Sequence, residues 1–207
     1  MLGIIVPARN EQENIQSVIK NLLECDVSPQ DIFVMENDSS DQTKAKAKEC
    51  EVNVYSVKEI GYQSAINEGL RLLIKNKYSK FCIVDGDNEI GKESIRIAIN
   101  RSWNYELNVG KRPYVKRFGE RIVNKLINNL YGIEDLMCGV KSGNLNYYNS
   151  NNNLEYGIDL FKLKDIPRNK ISNFQIEINP RSETRLGNSF FVNMNLIINI
   201  LRFIIKK

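Results

Sequence analysis

The segment that most constrains the fold is Phe81–Glu89, FCIVDGDNE, in which an uncharged run meets a cluster of acids. An apolar run of this length, bounded by polar residues and glycine, is typical of a strand that is buried on both faces. Asp85, Asp87 and Glu89 follow at the carboxyl end of that strand, where open α/β sheets bind their ligands. Two carboxylates separated by one residue can share a hard cation, and oxygen ligands favour Mg²⁺ or Mn²⁺ over zinc. A charged turn after a core strand is the alternative, because Asp-Gly is a common turn sequence.

Three more apolar segments precede this one, and helical patterns separate them. Apolar residues recur at the spacing of one helix face at Ile15, Val18, Ile19, Leu22 and Leu23. Further helices are predicted over Gln42–Cys50 and from Gly61 onward, and strands over Leu2–Val6, Ile32–Met35 and Val52–Val57. Residues 1–89 therefore alternate β-α-β-α-β-α-β, which predicts an α/β fold, a Rossmann-type, mostly parallel sheet with helices on both faces in a single domain.

The composition excludes several classes of function. The net charge of the 207 residues is only +4, and duplex DNA usually requires a concentrated basic face, so we expect no nucleic-acid partner. The sequence contains no histidine, which excludes Ser-His-Asp and Cys-His catalysis and makes a zinc site unexpected. The four cysteines stand far apart, as expected of core thiols in a reducing compartment, and we therefore expect a cytoplasmic protein. We find neither a signal peptide nor an apolar run long enough to span a bilayer.

Four motifs follow one another in the first half of the chain: IIVPARNEQENI (Ile4–Ile15), VMENDSSDQT (Val34–Thr43), GYQSAINEGL (Gly61–Leu70) and CIVDGDNE (Cys82–Glu89). In this order and register they resemble the family 2 glycosyltransferases, whose fold is the nucleotide-sugar-binding GT-A fold. The second half resembles the branch of dolichyl- and polyprenyl-phosphate sugar synthases. That likeness rests on GKRPYVKR (Gly110–Arg117), on Asn124, Leu126 and Gly132, and on DLMCGVK (Asp135–Lys141), LEYGIDL (Leu154–Leu160) and NPRSETRLGNS (Asn179–Ser189).

The resemblance implies a role for each residue that matches a family motif. The nucleotide pocket would be lined by Pro7, Ala8, Asn10 and Glu11, with Glu36 and Asn37 facing the base and ribose and Asp38 beside them. Asp85 and Asp87 would hold the metal against the donor diphosphate. Glu89 lies where relatives of the lipid-phosphate branch often have a glutamine ligand. The family more often has two aspartates at the positions of Glu36 and Asn37.

The resemblance also assigns three residues to catalysis. Arg112 and Arg117 match basic residues around the sugar and acceptor phosphates, and Asp135 matches the acid of a D-x-x-S/T-G element in which Cys138 replaces the small polar residue. Asp135 is the candidate general base for a hydroxyl acceptor, whereas a phosphate acceptor needs only positioning. The alternative for the cations of Lys111–Lys125 is a solvated helix face. Its opposite, buried face would be marked by Val115, Phe118, Ile122 and Leu126.

We therefore expect an enzyme that transfers a sugar, with inversion, from a nucleotide-diphosphate sugar to polyprenyl phosphate or a growing glycan. A sugar-phosphate nucleotidyltransferase is a second possibility, although its glycine-rich, basic loop after the first strand is absent from PARNEQEN. A binding module that has lost turnover is the third, and the presence of both Asp85 and Asp87 argues against it.

The C-terminal segment 190–207 is predicted to form an amphipathic helix outside the transferase domain of residues 1–189. Its polar residues form a narrow stripe at spacings of four, three and four, and the rest of its circumference is apolar; the stripe consists of Asn195, Asn199, Arg202 and Lys206. Such a helix can lie in the interface of an anionic membrane, close to a lipid-borne acceptor. It can equally close the core of a soluble domain.

Overall fold

The computed structural model describes residues 1–148, 161–179 and 197–198. Within these residues seven strands form one sheet, in the spatial order β3-β2-β1-β4-β6-β5-β7. The strands are β1 (Leu2–Ala8), β2 (Ile32–Glu36), β3 (Asn53–Ser56), β4 (Lys80–Val84), β5 (Leu107–Lys111), β6 (Val140–Asn144) and β7 (Ile171–Gln175). The first four strands are parallel, as predicted, whereas β6 is antiparallel to both β4 and β5.

Five α-helices in the described part of the chain connect these strands. They are α1 (Ile15–Leu23), α2 (Thr43–Lys48), α3 (Tyr62–Lys75), α4 (Lys92–Arg101) and α5 (Phe118–Tyr131). Helix α1 contacts α2 and α4, while α3 packs on β1, β2 and β4. Because the chain reverses direction across the sheet after β3, right-handed crossovers place α3 on the face opposite α1 and α2. The predicted class, a mostly parallel α/β sheet with helices on both faces, is confirmed.

The core lies between the central strands and the helices, and β1 and β4 are its most deeply buried strands. Ile4, Ile5, Phe81 and Ile83 are all completely buried. Gly69 allows α3 to approach β1 closely, because a Cβ at this position would lie 2.8 Å from Cγ2 of Ile5. No helix within the described residues is both long and apolar enough to cross a membrane.

The buried face of α5 differs in part from the predicted one. Phe118 is 62% exposed, and the face that packs inward consists of Gly119, Glu120, Val123, Asn124 and Ile127. Two of these residues, Glu120 and Asn124, are polar. Glu120 is buried in ion pairs with Arg112 and Arg117, and Asn124 donates a hydrogen bond to Asp135. The apolar periodicity of this segment therefore indicated only the border of the buried face, where Leu126 packs against the core.

Three sequence predictions lie outside the described residues or at their edge. The LEYGIDL motif falls entirely within the undescribed residues 149–160, and of the NPRSETRLGNS motif only Asn179 is described. Of the predicted helix over 190–207 the structure describes only 197–198, which are helical. Ile197 packs against the core, and Ile198 is 38% exposed.

Candidate active site

The crevice of this sheet lies between β1 and β4, where the strand order reverses. The strands β1, β2 and β3 follow one another outward in one direction, and β4 returns to the other side of β1. At the carboxyl end of this pair, the Gly86 amide donates a hydrogen bond of 3.1 Å to the carbonyl oxygen of Pro7. A Cβ on Gly86 would lie 2.9 Å from that oxygen, so only glycine allows the approach. Ligands of open α/β sheets bind at such a reversal point.

Asp85 is held at this point through its backbone amide and through one oxygen of its carboxylate. Its amide donates to the carbonyl of Gly139 (3.1 Å), and Oδ1 accepts a hydrogen bond of 2.7 Å from the Tyr62 hydroxyl. Oδ2 lies directly over Gly139, whose absent Cβ would be only 2.3 Å away. Burial and then repulsion by Asp87 raise the pKa of Asp85 to about 7. A divalent cation would offset that repulsion, so these two oxygen-donor side chains fit Mg²⁺ or Mn²⁺.

The loop that follows is fixed from two directions. Oδ1 of Asp87 accepts a hydrogen bond of 3.1 Å from the Glu89 amide, and Asn88 between them has a φ of 59°. Asn179 donates from its amide to the Glu89 carbonyl (2.8 Å) and from its side chain to the Asn88 carbonyl (2.9 Å). In the described residues no three His, Cys, Asp or Glu side chains are grouped to hold a metal. A cation at Asp85 and Asp87 would take its remaining oxygen ligands from water or from a bound substrate.

The loops after β1 and β2 are joined into one wall by hydrogen bonds. The Asn10 amide donates to Oγ of Ser39 (3.1 Å), and Oδ1 of Asn10 accepts from the Ser40 amide (2.9 Å). The Glu11 amide donates to Oγ1 of Thr43 over 2.7 Å, and the Glu11 side chain is buried. The four predicted residues Pro7, Ala8, Asn10 and Glu11 thus lie together beside the crevice, and Asn10 is the exposed one.

Glu36 is buried and supports the second loop. Its Oε1 accepts a hydrogen bond of 2.6 Å from the Ser39 amide, and its Oε2 accepts one of 3.2 Å from the Ser56 hydroxyl. A cavity of about 540 Å³ opens on the outer side of β2. It is lined by Glu36, Asp38, Ser39, Asp41, Gln42, Lys44, Ala45 and Lys48.

The side chain of Asn37 also binds protein groups. Its Nδ2 donates to the Glu59 carbonyl (2.9 Å), and its Oδ1 accepts a hydrogen bond of 2.6 Å from the Gly61 amide. Glu36 and Asn37 therefore support the loops beside the crevice through hydrogen bonds to other protein groups. Asp38, with a φ of 57°, is the exposed member of the three.

Asp135 is only 1% exposed, and both oxygens of its carboxylate are fully engaged. Oδ2 accepts from the Arg112 amide (3.1 Å) and from Nε of Arg112 (2.8 Å). Oδ1 accepts from Nη2 of Arg112 (2.8 Å) and from Nδ2 of Asn124 (3.1 Å). Burial raises the pKa of Asp135, but the bonds from Arg112 outweigh it and hold this pKa below its ordinary value. The group is a fixed, ionised carboxylate.

Arg112 and Arg117 are brought together by a buried glutamate of α5. Nη2 of Arg112 donates to Oε2 of Glu120 (2.8 Å), and Nη1 of Arg117 donates to Oε1 of the same carboxylate (2.6 Å). Sequence reasoning gave no role to Glu120 or Tyr62, and it named Asn124 only as part of the family resemblance. The one signal for Glu120 was its spacing of four residues from Asn124, which placed two polar side chains on one stripe of α5.

Residues 3–161 match the family described as Glycosyl transferase family 2. The chain belongs to this family. The match covers more than half of the 207 residues, and it confirms the predicted family and the predicted enzyme class, a glycosyltransferase. The branch of polyprenyl-phosphate sugar synthases is not confirmed by any of the comparisons.

One curated relative and two solved structures illustrate the likeness. An uncharacterised protein of Methanocaldococcus jannaschii is 35% identical over 91 residues, which cover 40% of this chain and 38% of that protein. Glucosyl-3-phosphoglycerate synthase from Mycobacterium tuberculosis superposes with a TM-score of 0.75 at 15% identity, covering 98% of this chain and 79% of that one. Mannosyl-3-phosphoglycerate synthase from Rubrobacter xylanophilus gives a TM-score of 0.77 at 16% identity, with 100% and 74% covered. At such identities the two superpositions show a shared fold.

Proposed function

We propose that this glycosyltransferase moves a sugar, with inversion, from a nucleotide-diphosphate sugar to an acceptor that already carries a phosphate. The observation that carries the donor half is the position of Asp85 at the reversal point between β1 and β4. The loops after β1 and β2 form a wall beside it. The proposed roles follow the predicted ones for Pro7, Ala8, Asn10 and Asp38 along the nucleotide, and for Asp85 and Asp87 at the diphosphate.

Cleavage of the sugar–diphosphate bond places negative charge on the leaving phosphate oxygens. Bound between Asp85, Asp87 and the diphosphate, Mg²⁺ or Mn²⁺ would stabilise that charge without a proton transfer. The protein's own part is to orient the two carboxylates. Tyr62 fixes the first through its hydroxyl, and Asn179 fixes the loop that carries the second.

The full occupancy of Asp135 supports a phosphate acceptor. A sugar hydroxyl needs a general base within hydrogen-bond reach, and both oxygens of Asp135 are already bound to Arg112 and Asn124. A phosphate acceptor is anionic and needs no base. In this proposal Asp135 and Glu120 position Arg112 and Arg117, whose guanidinium groups supply hydrogen-bond donors beside the reaction.

Two phosphate-bearing acceptors are candidates. The fold neighbour from Mycobacterium tuberculosis has also been solved with Mn²⁺, UDP-glucose and phosphoglyceric acid, with a TM-score of 0.74 at 14% identity. Phosphoglycerate is therefore the first acceptor to assay. Polyprenyl phosphate is the second, and the proposed membrane contact through 190–207 belongs to that alternative alone.

The donor site is tested by titrating the protein with a panel of nucleotide-diphosphate sugars, with Mn²⁺ and with chelator. We expect Asp87→Asn to abolish the Mn²⁺-dependent part of binding without lowering the melting temperature. Asp165→Asn is the matched control, because Asp165 is an exposed aspartate in the segment that precedes β7. Equal affinity with Mn²⁺ and with chelator would refute the metal-dependent donor site.

The acceptor is tested by product formation with the best donor from that panel. Phosphoglycerate, polyprenyl phosphate in detergent and a neutral glycan are compared at equal concentration. We expect turnover with one of the two phosphates. Turnover with the glycan alone would refute the proposed acceptor class, and binding without turnover on any acceptor would favour a non-catalytic module.

A further inference from the structure

Lys141 is a buried cation for which the proposed reaction has so far no use. It lies on β6, is 6% exposed, and its Nζ donates a hydrogen bond to the carbonyl oxygen of Cys138. An ammonium group has three N–H donors, so this carbonyl uses one of them. Within the described part of the chain, no carboxylate lies within 4.0 Å of this nitrogen as an ion-pair partner.

The register of the sheet places Lys141 on the crevice side. Ile5 is paired with Ile83, and Ile83 is paired with Lys141, so the three side chains share one face of the sheet. Asp85 follows Ile83 by two residues and lies on that same face. This is the face covered by α3, whose Tyr62 hydroxyl reaches Asp85.

The long side chain then carries the ammonium towards the edge of the sheet. Its hydrogen bond reaches back to Cys138, three residues towards that edge. Burial lowers the pKa of Lys141, while the negative charges of Asp85 and Asp135 act in the opposite direction. The ammonium is therefore close enough to the carboxylates of Asp85 and Asp135 to interact with both electrostatically. Gly139 beside it contributes no side chain that would cover it.

Burying an ammonium that has no ion-pair partner is unfavourable, and such groups are rare unless an anion meets them. Other cations of the site are already neutralised. Lys111 pairs with Glu134, and Arg112 pairs with Asp135. Lys141 differs from them because a backbone carbonyl is its hydrogen-bond partner.

We propose that Lys141 binds a phosphate oxygen of the substrate at the floor of the crevice between Asp85 and Asp135. This inference rests on the proposed function and adds a substrate-binding residue to it. The phosphate belongs either to the donor diphosphate or to the acceptor, and both present the same anionic oxygen. In either case the bound anion supplies the charge partner that the protein itself does not.

The test is isothermal titration of the full chain with two probes, pyrophosphate plus Mn²⁺ and 3-phosphoglycerate. We expect Lys141→Met to weaken binding of at least one probe by about 10- to 100-fold, which is the usual worth of a charge-assisted hydrogen bond. Lys141→Gln keeps an N–H donor for the Cys138 carbonyl but has no charge, and it should show the same loss. Lys170→Met, at an exposed lysine that precedes β7, is the matched control and should leave both affinities unchanged.

The melting temperature distinguishes a binding role from a structural one, because the loss of a lysine that stabilises the fold would lower it. Because Lys141→Met removes a buried charge that forms no ion pair with a carboxylate of the described residues, the variant should melt no lower than the wild type. A loss with pyrophosphate assigns the contact to the donor, and a loss with 3-phosphoglycerate assigns it to the acceptor. Unchanged affinity in both arms, failure of both variants to fold, or a wild type that binds neither probe would overturn the inference.

The same data separate this inference from the proposed function. A wild type that binds pyrophosphate through Lys141 but binds no nucleotide-diphosphate sugar would contradict the function and keep the residue's role. If the wild type and Lys141→Met bind nucleotide-diphosphate sugars equally tightly, and each probe equally tightly, the proposed function stands and the role of Lys141 is rejected.

Discussion

A single methyl group added at Gly139 should disable the donor site without removing any functional group from it. The Cβ of Gly139→Ala would lie 2.3 Å from Oδ2 and 2.7 Å from Cγ of Asp85. The carboxylate would have to move until these contacts exceed 3.0 Å, and to 3.4 Å for ordinary contact. That movement also strains the 2.7 Å hydrogen bond from the Tyr62 hydroxyl.

The expected magnitude follows from this displacement. A shift of about 1 Å in a positioned group can cost about 10²-fold in rate. The overlapping atoms belong to the side chain of Asp85, which can move aside. We therefore expect the overpacking to cost only about 1 kcal/mol of stability, the lower end of the usual range. The Mn²⁺-dependent affinity for a nucleotide-diphosphate sugar should fall by about 10- to 100-fold in the same protein.

The assay is titration with and without Mn²⁺ beside urea denaturation of each variant. Gly3→Ala is the matched control, because its Cβ would overlap Cδ2 of Leu73 at 2.2 Å, near the opposite edge of the sheet. The control should lose about 1–3 kcal/mol of stability while its folded fraction binds the donor normally. Normal Mn²⁺-dependent binding by Gly139→Ala would refute the placement of Asp85 in the donor site.

Two further predictions concern the walls of the site. Asp135→Asn should destabilise the protein by about 3 kcal/mol at neutral pH, the lower end for a broken buried pair, because Arg112 keeps Glu120. Since the folded pKa of Asp135 is depressed, its contribution is present above the unfolded pKa and is lost as the pH falls through the folded one. In urea titrations the difference in free energy of unfolding between this variant and the wild type should thus shrink below about pH 4, and a difference that stays constant would contradict this. Asn37→Asp removes the donor to the Glu59 carbonyl and should speed proteolysis of residues 58–61 and weaken donor binding; an unchanged cleavage rate would speak against that support role.

The first half of the fold could be predicted because its signals are local. Strands β1, β2 and β4 are short apolar runs, β3 lies in an alternating segment, and each amphipathic helix shows its period within a few turns. The buried residues of α1, Ile15, Val18, Ile19 and Leu22, are four of the five that this pattern indicated. Because the strands are parallel, the acids that follow them necessarily meet at one edge.

The second half could not be predicted in the same way. Strand β6 has the sequence VKSGN, with a lysine, a serine and a glycine, and nothing in it resembles a buried strand. Its position between β4 and β5 comes from pairing with residues about sixty and thirty positions away. A strand of this kind is defined by its neighbours, which a local pattern does not contain.

The candidate site shows the same division. The sequence by itself placed Asp85, Asp87 and Glu36 at strand ends and identified the family through their order. Only the tertiary structure decided that Glu36 supports a loop, that Asp135 is saturated by Arg112, and that Lys141 is buried beside the crevice. The physical reason is that a polar side chain has no fixed role until its partners are known. Burial and hydrogen bonding between distant segments supply those partners, and the folded chain alone brings them within 3 Å of each other.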